Sequence, residues 1–226
     1  MLTVSPYSWL DSTDSSEISA FERKAAESGA RAIAGVDEAG RGPLAGPIVA
    51  AAVILGGPID GVDDSKRLTG AQREALFSEI TGGAHAVGIS IVSAERIDDV
   101  GIQRANYQAM TEALQALNPA PDFALVDGFA IPGCAVPHCR IVKGDRRSCS
   151  IAAASIVAKV TRDRLLVLLD EAHPEYGFAR HKGYGTAEHL EALELHGPCP
   201  AHRRSFAPLS QRLETMEIFS EGDRSA

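Results

Sequence analysis

Asp37 and Glu38 are adjacent where an apolar run, Ala-Ile-Ala-Gly-Val, gives way to the loop Ala39-Gly40-Arg41-Gly42-Pro43-Leu44-Ala45-Gly46-Pro47. In a regular strand, adjacent side chains leave opposite faces. Both carboxylates can therefore serve one site only if the backbone departs from strand geometry, which the glycines permit. The ordinary alternative is a turn, which acidic residues, Gly and Pro commonly punctuate. Asp127 and Asp145 each close another apolar strand, Asp145 just ahead of a helix start. Taken singly, they read as an Asp-Gly turn and as helix-dipole compensation, the latter typically about 0.3–1 kcal/mol. Taken together, three strands ending in carboxylates point to one edge of a sheet, because parallel or mixed sheets gather their strand ends there.

If the four groups meet, electrostatics demands a cation. Two unit charges about 4 Å apart repel by roughly 4 kcal/mol at an effective dielectric near 20, a large fraction of a small domain's stability. Oxygen-only ligands suit Mg²⁺ or Mn²⁺, and no His/Cys cluster has zinc spacing. Carboxylate-bound pairs of such ions are common equipment for in-line phosphoryl transfer.

The elements that must position these groups can be read from periodicity. The runs at 32–36 and 48–55 are expected strands, and Thr69-x-x-Gln72 looks like a capping box opening a helix whose Leu76, Phe77 and Ile80 share a face. His85, Val87, Ile89 and Ile91 alternate with Ala86, Gly88 and Ser90, the pattern of a half-buried strand. Ile102, Asn106, Met110, Ala113, Leu114 and Leu117 form one helical stripe, and the short apolar run from Phe123 to Val126 suits a central strand covered on both faces. A further strand is expected to end at Lys143-Gly144-Asp145. Ser148 to about Ala172 then reads as a long helix, buried in its first half and ended by His173-Pro174. A Gly-, Tyr- and His-rich loop leads to a helix capped by Thr186. The expected fold class is α/β, a mixed central sheet flanked by helices with a helical C-terminal annex. The expected division is an N-terminal arm over 1–30 with a peripheral helix, a catalytic domain over 31–172 and a C-terminal helical extension over 173–226 packed on the same unit.

Composition bounds the function classes. The 226 residues carry a net charge of -8 and 45% hydrophobic residues, which suits a globular chain and not a disordered or fibrous one. The longest apolar run, Ile48 to Leu55, has eight residues, against the roughly 20 needed to cross a bilayer. No export signal is read at the N-terminus, so the expected location is cytoplasmic. Four cysteines without a C-x-x-C pair suggest reduced, mostly buried thiols. The acidic total conceals an uneven distribution: residues 140–212 hold 12 Lys and Arg against 8 Asp and Glu. Arg146, Arg147, Lys182, Arg203 and Arg204 of that segment are candidates to hold phosphates, which position a duplex without reading its sequence. His181, His189, His196 and His202 show no metal-ligand spacing, and a surface role is expected for them.

Gly35-Val-Asp-Glu-Ala-Gly-Arg-Gly-Pro-Leu-Ala-Gly-Pro47, Asp64-Ser65-Lys66, Val126-Asp127-Gly128, Lys143-Gly144-Asp145, Ser150-Ile-Ala-Ala-Ala-Ser-Ile-Val-Ala-Lys159 and His181-Lys182-Gly183-Tyr184-Gly185-Thr186 occur in this order. Over about Ala32 to Leu209 the sequence resembles type 2 ribonuclease H, the bacterial ribonuclease HII family. The resemblance implies a ribonuclease H-like fold and metal-dependent endonucleolytic cleavage of RNA in RNA/DNA hybrids, including single ribonucleotides in duplex DNA. It implies that Asp37, Glu38, Asp127 and Asp145 are catalytic and bind metal, Mn²⁺ or Mg²⁺, with two ions present when substrate is bound. It also implies that Gly40, Arg41 and Gly42 read the ribose 2′-OH in the minor groove, that Tyr184 packs on the sugar at the DNA side of the junction, and that Lys66 contacts phosphate. Without the resemblance, Tyr184 reads as a loop tyrosine packed on the core and Lys66 as a solvated lysine ahead of a helix. The expected partners are RNA/DNA hybrid and ribonucleotide-containing duplex DNA, with no membrane, and a monomer is expected. The rival classes are a DNA nuclease or phosphotransferase sharing the acidic cluster, and a non-catalytic hybrid-binding module.

Overall fold

The computed structural model describes residues 18–62, 68–83 and 85–211. Its five-stranded sheet has the order β3-β2-β1-β4-β5, with β1 at Ile33–Ala39, β2 at Ile48–Ile54, β3 at Ala86–Val92, β4 at Phe123–Asp127 and β5 at His138–Ile141. β2 runs antiparallel to β1, whereas β4 is parallel to β1 and β5 is parallel to β4. The sheet is therefore mixed, and the three parallel strands end along one edge. β4 is buried over Phe123, Ala124, Leu125 and Val126, as a central strand covered on both faces must be.

The chain divides into two compact units. One comprises Met1–Ala39, Val49–Ile91 and Asn106–Thr161, the other Gly40–Ile48, Val92–Ala105 and Arg162–Ala226. Within the first, α2 (Gly70–Gly82) starts with the expected capping box: Thr69 Oγ1 accepts from the Gln72 N–H at 3.3 Å, and Gln72 Oε1 accepts from the Thr69 N–H at 2.8 Å. The first half of α5 (Cys149–Ala172) buries Ala152, Ala153, Ala154, Ile156, Val157 and Ala158 against Ala51, Val53, Leu76 and Ile80. α1 (Ala20–Glu27) is not peripheral. Phe21 is fully buried against Phe123, Leu125 and Ile141, and Glu22 Oε1 accepts from Ser148 Oγ, Ser150 N–H and Ser150 Oγ at 2.5, 2.9 and 2.7 Å. Glu22 thus caps the start of α5 from another helix, a favourable place for negative charge.

β3 buries the face that periodicity marks as the weaker one. Gly88, Ser90 and Val92 are buried, while Ile91 is 52% exposed. The cause is α4 (Ile102–Gln115), which lies so close that a Cβ on Gly88 would stand 2.1 Å from the Ala113 carbonyl oxygen. Ser90 Oγ donates to Glu112 Oε2 at 2.6 Å on the same side. Val87 and Ile89 pack partly against the core on the other face. A helix packed this tightly requires small side chains, and they break the alternation of hydrophobicity. α3 (Ala94–Val100), which no sequence pattern announces, begins on Ser93, whose side chain accepts from the Arg96 N–H at 3.1 Å. β5 stops at Ile141, two residues short of the expected end, because Lys143 turns to φ 56° and opens a 3₁₀ turn over Gly144–Arg146.

In the second unit, α6 (Phe178–His181) occupies the segment read as a loop. α7 (Ala187–His196) begins where expected, Thr186 Oγ1 accepting from the His189 N–H at 3.3 Å. Leu44, Ala45, Leu166, Tyr176, Phe178, Leu193, Cys199 and Leu209 form this unit's core.

Candidate active site

All four predicted acidic residues lie in the first unit, at the carboxyl ends of the parallel strands. Asp37 is on β1, Asp127 is the last residue of β4, and Asp145 follows β5 in the 3₁₀ turn ahead of α5. The register Val36↔Val126 brings β1 and β4 level one residue before each Asp. The Gly144 N–H donates to Asp127 Oδ1 at 2.6 Å, which ties the Asp145 turn to the end of β4. Asp37 and Asp145 are buried, at 6% and 3% exposure.

The backbone does not leave strand geometry at the Asp37-Glu38 pair. β1 stays in register with β2 through Asp37↔Ala51, Glu38↔Ala50 and Ala39↔Val49, and the chain turns only at Gly40. Pleating alone would set the two side chains on opposite faces, yet the Glu38 charge acts on Asp37, so the two carboxylates sit close enough to repel without a break in the strand. The Glu38 N–H donates to Asp37 Oδ1 at 2.8 Å. Burial, then the charges of Glu38 and Asp127, push the Asp37 carboxyl well above the usual carboxylate range, against the opposing hydrogen bond from Ser155. This is the electrostatic signature expected of clustered acids. Among the described residues, no three His, Cys, Asp or Glu side chains form a ready-made metal cage. The donor set nevertheless fits a hard divalent cation: it is all oxygen, and a cation beside Asp37 would offset the repulsion that raises it.

The predicted substrate-reading residues lie in the second unit, except Lys66, which is outside the described residues. Gly40 has φ +97°, and a Cβ there would meet Arg162 Nε at 2.1 Å, so the position excludes any side chain. Arg41 Nη2 donates to Gln103 Oε1 at 3.0 Å. Tyr184 is 51% exposed and so is not a loop tyrosine packed on the core, and its Cε1 would lie 3.8 Å from a Cβ on Gly42. The Leu44 and Ala45 N–H groups donate to the Gly183 carbonyl at 2.8 and 3.3 Å, joining the loop of Gly40-Arg41-Gly42 to that of Tyr184.

Two arginines that sequence reasoning did not place here hold that loop. Arg203, fully buried, donates to the carbonyls of Gly46 from Nε and Nη2 at 3.0 and 2.8 Å, of Arg41 at 3.0 Å and of Gly40 at 2.6 Å. Arg162, 2% exposed, donates to Pro47, Lys182 and Ala45 carbonyls at 3.0, 3.0 and 3.1 Å. Arg203 was a phosphate candidate, but its guanidinium is spent on carbonyls. Burial pushes it down to about 9, with the Arg162 charge adding to the shift. Arg146 and Arg204 are exposed, while Arg147 lies over the Phe21 ring, 5.0 Å from its centroid. The expected surface role fails for His189 and His202, which are 0% and 2% exposed. The arginine clamps were hidden because their carbonyls lie up to 163 residues away in sequence, whereas the histidine partners, 3 to 13 residues away, meet only in the folded loop.

The model of the family described as Ribonuclease HII matches residues 34–209. A curated relative, Ribonuclease HII of Geobacillus kaustophilus, is 56% identical over 205 residues, covering 89% of this chain and 78% of that protein. Among solved structures, the ribonuclease H2 of Pyrococcus horikoshii OT3 matches with a TM-score of 0.69 at 28% identity, covering 83% of this chain and 99% of the other. Bst-RNase HIII in complex with Mn²⁺ matches with a TM-score of 0.61 at 22% identity, covering 81% of this chain and 70% of that one, a likeness of fold alone. The fold is ribonuclease H-like.

Proposed function

The chain belongs to the ribonuclease HII family, and from that premise we propose that it cleaves the RNA strand of RNA/DNA hybrids and cuts 5′ to ribonucleotides embedded in duplex DNA, leaving 3′-hydroxyl and 5′-phosphate ends. As a family member it is a metal-dependent endoribonuclease. The observation that supports metal binding is the buried Asp37, raised by burial and by the charges of Glu38 and Asp127, with an Asp127 oxygen anchoring the turn of Asp145. The ribonucleotide reading is supported by the family and by the half-exposed Tyr184 ring beside Gly42.

In this reading Asp37, Glu38, Asp127 and Asp145 hold Mn²⁺ or Mg²⁺. Two such ions, bound together with substrate, would supply the positive charge that activates water and stabilises the leaving oxygen. The chain itself contributes orientation. Asp127 accepts the Gly144 N–H on one oxygen, which fixes the direction of its carboxylate. Asp37, whose Oδ1 is engaged by the Glu38 N–H, must be ionised to bind a cation, so metal and proton compete for it.

Gly40, Arg41 and Gly42 read the ribose 2′-OH, partly through backbone atoms, and the half-exposed Tyr184 ring packs on the sugar at the DNA side of the junction. The carbonyl clamps of Arg162 and Arg203 support this by holding the loop backbone in place before substrate arrives. Lys66 is assigned a phosphate contact. The reading includes a cytoplasmic monomer acting on nucleic acid duplexes. Among the described residues, no helix is long and apolar enough to cross a membrane.

Incubating a labelled duplex with one embedded ribonucleotide, with Mn²⁺ and with EDTA, tests the proposal. A single cut 5′ to the ribonucleotide only in the metal lane is expected. Equal cutting of an all-DNA duplex would transfer the assignment to a DNA nuclease, and intact substrate after long incubation would leave a binding module.

A further inference from the structure

Histidine hydrogen bonds beneath the Tyr184 loop run in one direction. The Tyr184 carbonyl, which also accepts from the Thr186 N–H at 2.8 Å, lies 2.9 Å from His189 Nδ1. A carbonyl cannot donate, so His189 carries its proton on Nδ1. The lone pair of neutral His189 is then on Nε2, 3.0 Å from His202 Nε2, which must be the donor. His202 Nδ1 is left as an acceptor, and the Cys199 N–H donates to it at 3.0 Å. Cys199 Sγ and its carbonyl oxygen lie 3.2 and 3.3 Å from the same nitrogen, and in this tautomer the carbonyl contact is not a hydrogen bond.

The surroundings enforce neutrality. The Phe178 ring stands 5.6 Å from His189 and 5.4 Å from His202, and the Tyr176 ring 4.8 Å from His202. A charge on either buried imidazole would lack compensation. His181 stacks on His189 at 4.4 Å and is fixed in turn, Nε2 donating to the Tyr176 carbonyl at 2.7 Å and Nδ1 accepting from the Gly183 N–H at 3.2 Å.

We infer that His189 and His202 are positioning residues for substrate reading: their one-way relay from the Cys199 N–H to the Tyr184 carbonyl fixes the loop on which the Tyr184 ring stands beside Gly42. This rests on the assignment of Tyr184 to the sugar at the RNA–DNA junction and deepens it. The relay acts through the backbone, so its loss shifts preference among substrates and leaves the acidic residues unaltered.

The test has two arms. In ¹⁵N-histidine-labelled full-length protein at pH 7, long-range ¹H–¹⁵N spectra are expected to show His189 as the Nδ1–H tautomer and His202 as the Nε2–H tautomer. The opposite tautomer or an imidazolium at either residue overturns the relay. In the second arm, kcat/KM is measured on a duplex with one embedded ribonucleotide and on a continuous hybrid. His189→Ala is expected to lower the ratio of the two by about tenfold, the size of one lost buried hydrogen bond. His189→Asn, which can keep a donor near the Nδ1 position, restores it. Equal loss on both substrates, or a His189→Ala ratio equal to wild type, overturns the positioning role. A wild-type protein with no preference for the junction overturns the Tyr184 assignment instead, and a His189→Ala that does not fold leaves the decision to the Asn variant and the tautomers.

Discussion

Asp127 accepts the Gly144 N–H at 2.6 Å, so one acidic residue holds the turn that presents another, Asp145. The same carboxylate raises Asp37 through its charge. Asp127 is therefore structurally useful through one oxygen and electrostatically costly through its charge, and substitution can separate the two.

Asp127→Asn keeps an oxygen for Gly144 and removes a repelling charge. In EDTA its melting temperature is expected to equal or exceed that of wild type, while cleavage is abolished. Asp127→Ala loses the oxygen as well and is expected to fall below Asp127→Asn by about 1 kcal/mol. Calorimetry of the three proteins without metal, beside a gel assay, checks both; an Asn variant that melts well below wild type contradicts the clustering.

Divalent metal should relieve the repulsion. Mn²⁺ at concentrations well above its dissociation constant is expected to raise the melting temperature of wild type, since a ligand that binds only the folded state stabilises it. The rise should be smaller for Asp127→Asn. Thermal shift against Mn²⁺ concentration is the measurement, and an equal rise in both proteins would place the ion elsewhere.

Arg203 donates four hydrogen bonds to three carbonyls around the loop of Gly40-Arg41-Gly42. Arg203→Met leaves those buried carbonyls without their donors and is expected to cost about 3 kcal/mol or more in urea unfolding. Were Arg203 a phosphate ligand, the variant would unfold like wild type and lose only salt-dependent duplex affinity.

Burial, followed by the His189 charge, lowers His202 from 6.5 to about 4, with His173 and His181 acting in the same sense. Between those values the unfolded chain binds a proton that the folded chain does not, so stability present above pH 6.5 is lost as pH falls toward 4. Asp37 works with opposite sign: its raised carboxyl holds a proton in the folded state, so metal-free stability grows as pH falls through the window above 3.8. Comparing wild type with His202→Gln isolates the histidine. The variant should lose less stability between pH 6.5 and 4, and an identical slope in both would refute the assignment.

β4, α2 and α5 were legible because each is a local statement: a continuous apolar run, a capping box, a helix apolar on most sides. β3 shows where such statements stop. Its alternation identified a strand, but which face is buried was decided by the approach of α4 to Gly88. Arg203 and His189 show the same limit, since nothing near them in sequence announces their partners at residues 40–46 and at His202.

By itself the sequence determined the family, the strand-end carboxylates and the loop glycines, because spacing and residue type are local properties that motifs preserve. Only the tertiary structure decided that Asp37 and Glu38 stay in a paired strand, that two arginines turn inward to carbonyls, and that buried imidazoles stay neutral. Those outcomes depend on desolvation and on hydrogen-bond partners that only folding supplies, from as far as 163 residues away where it brings Arg203 to Gly40.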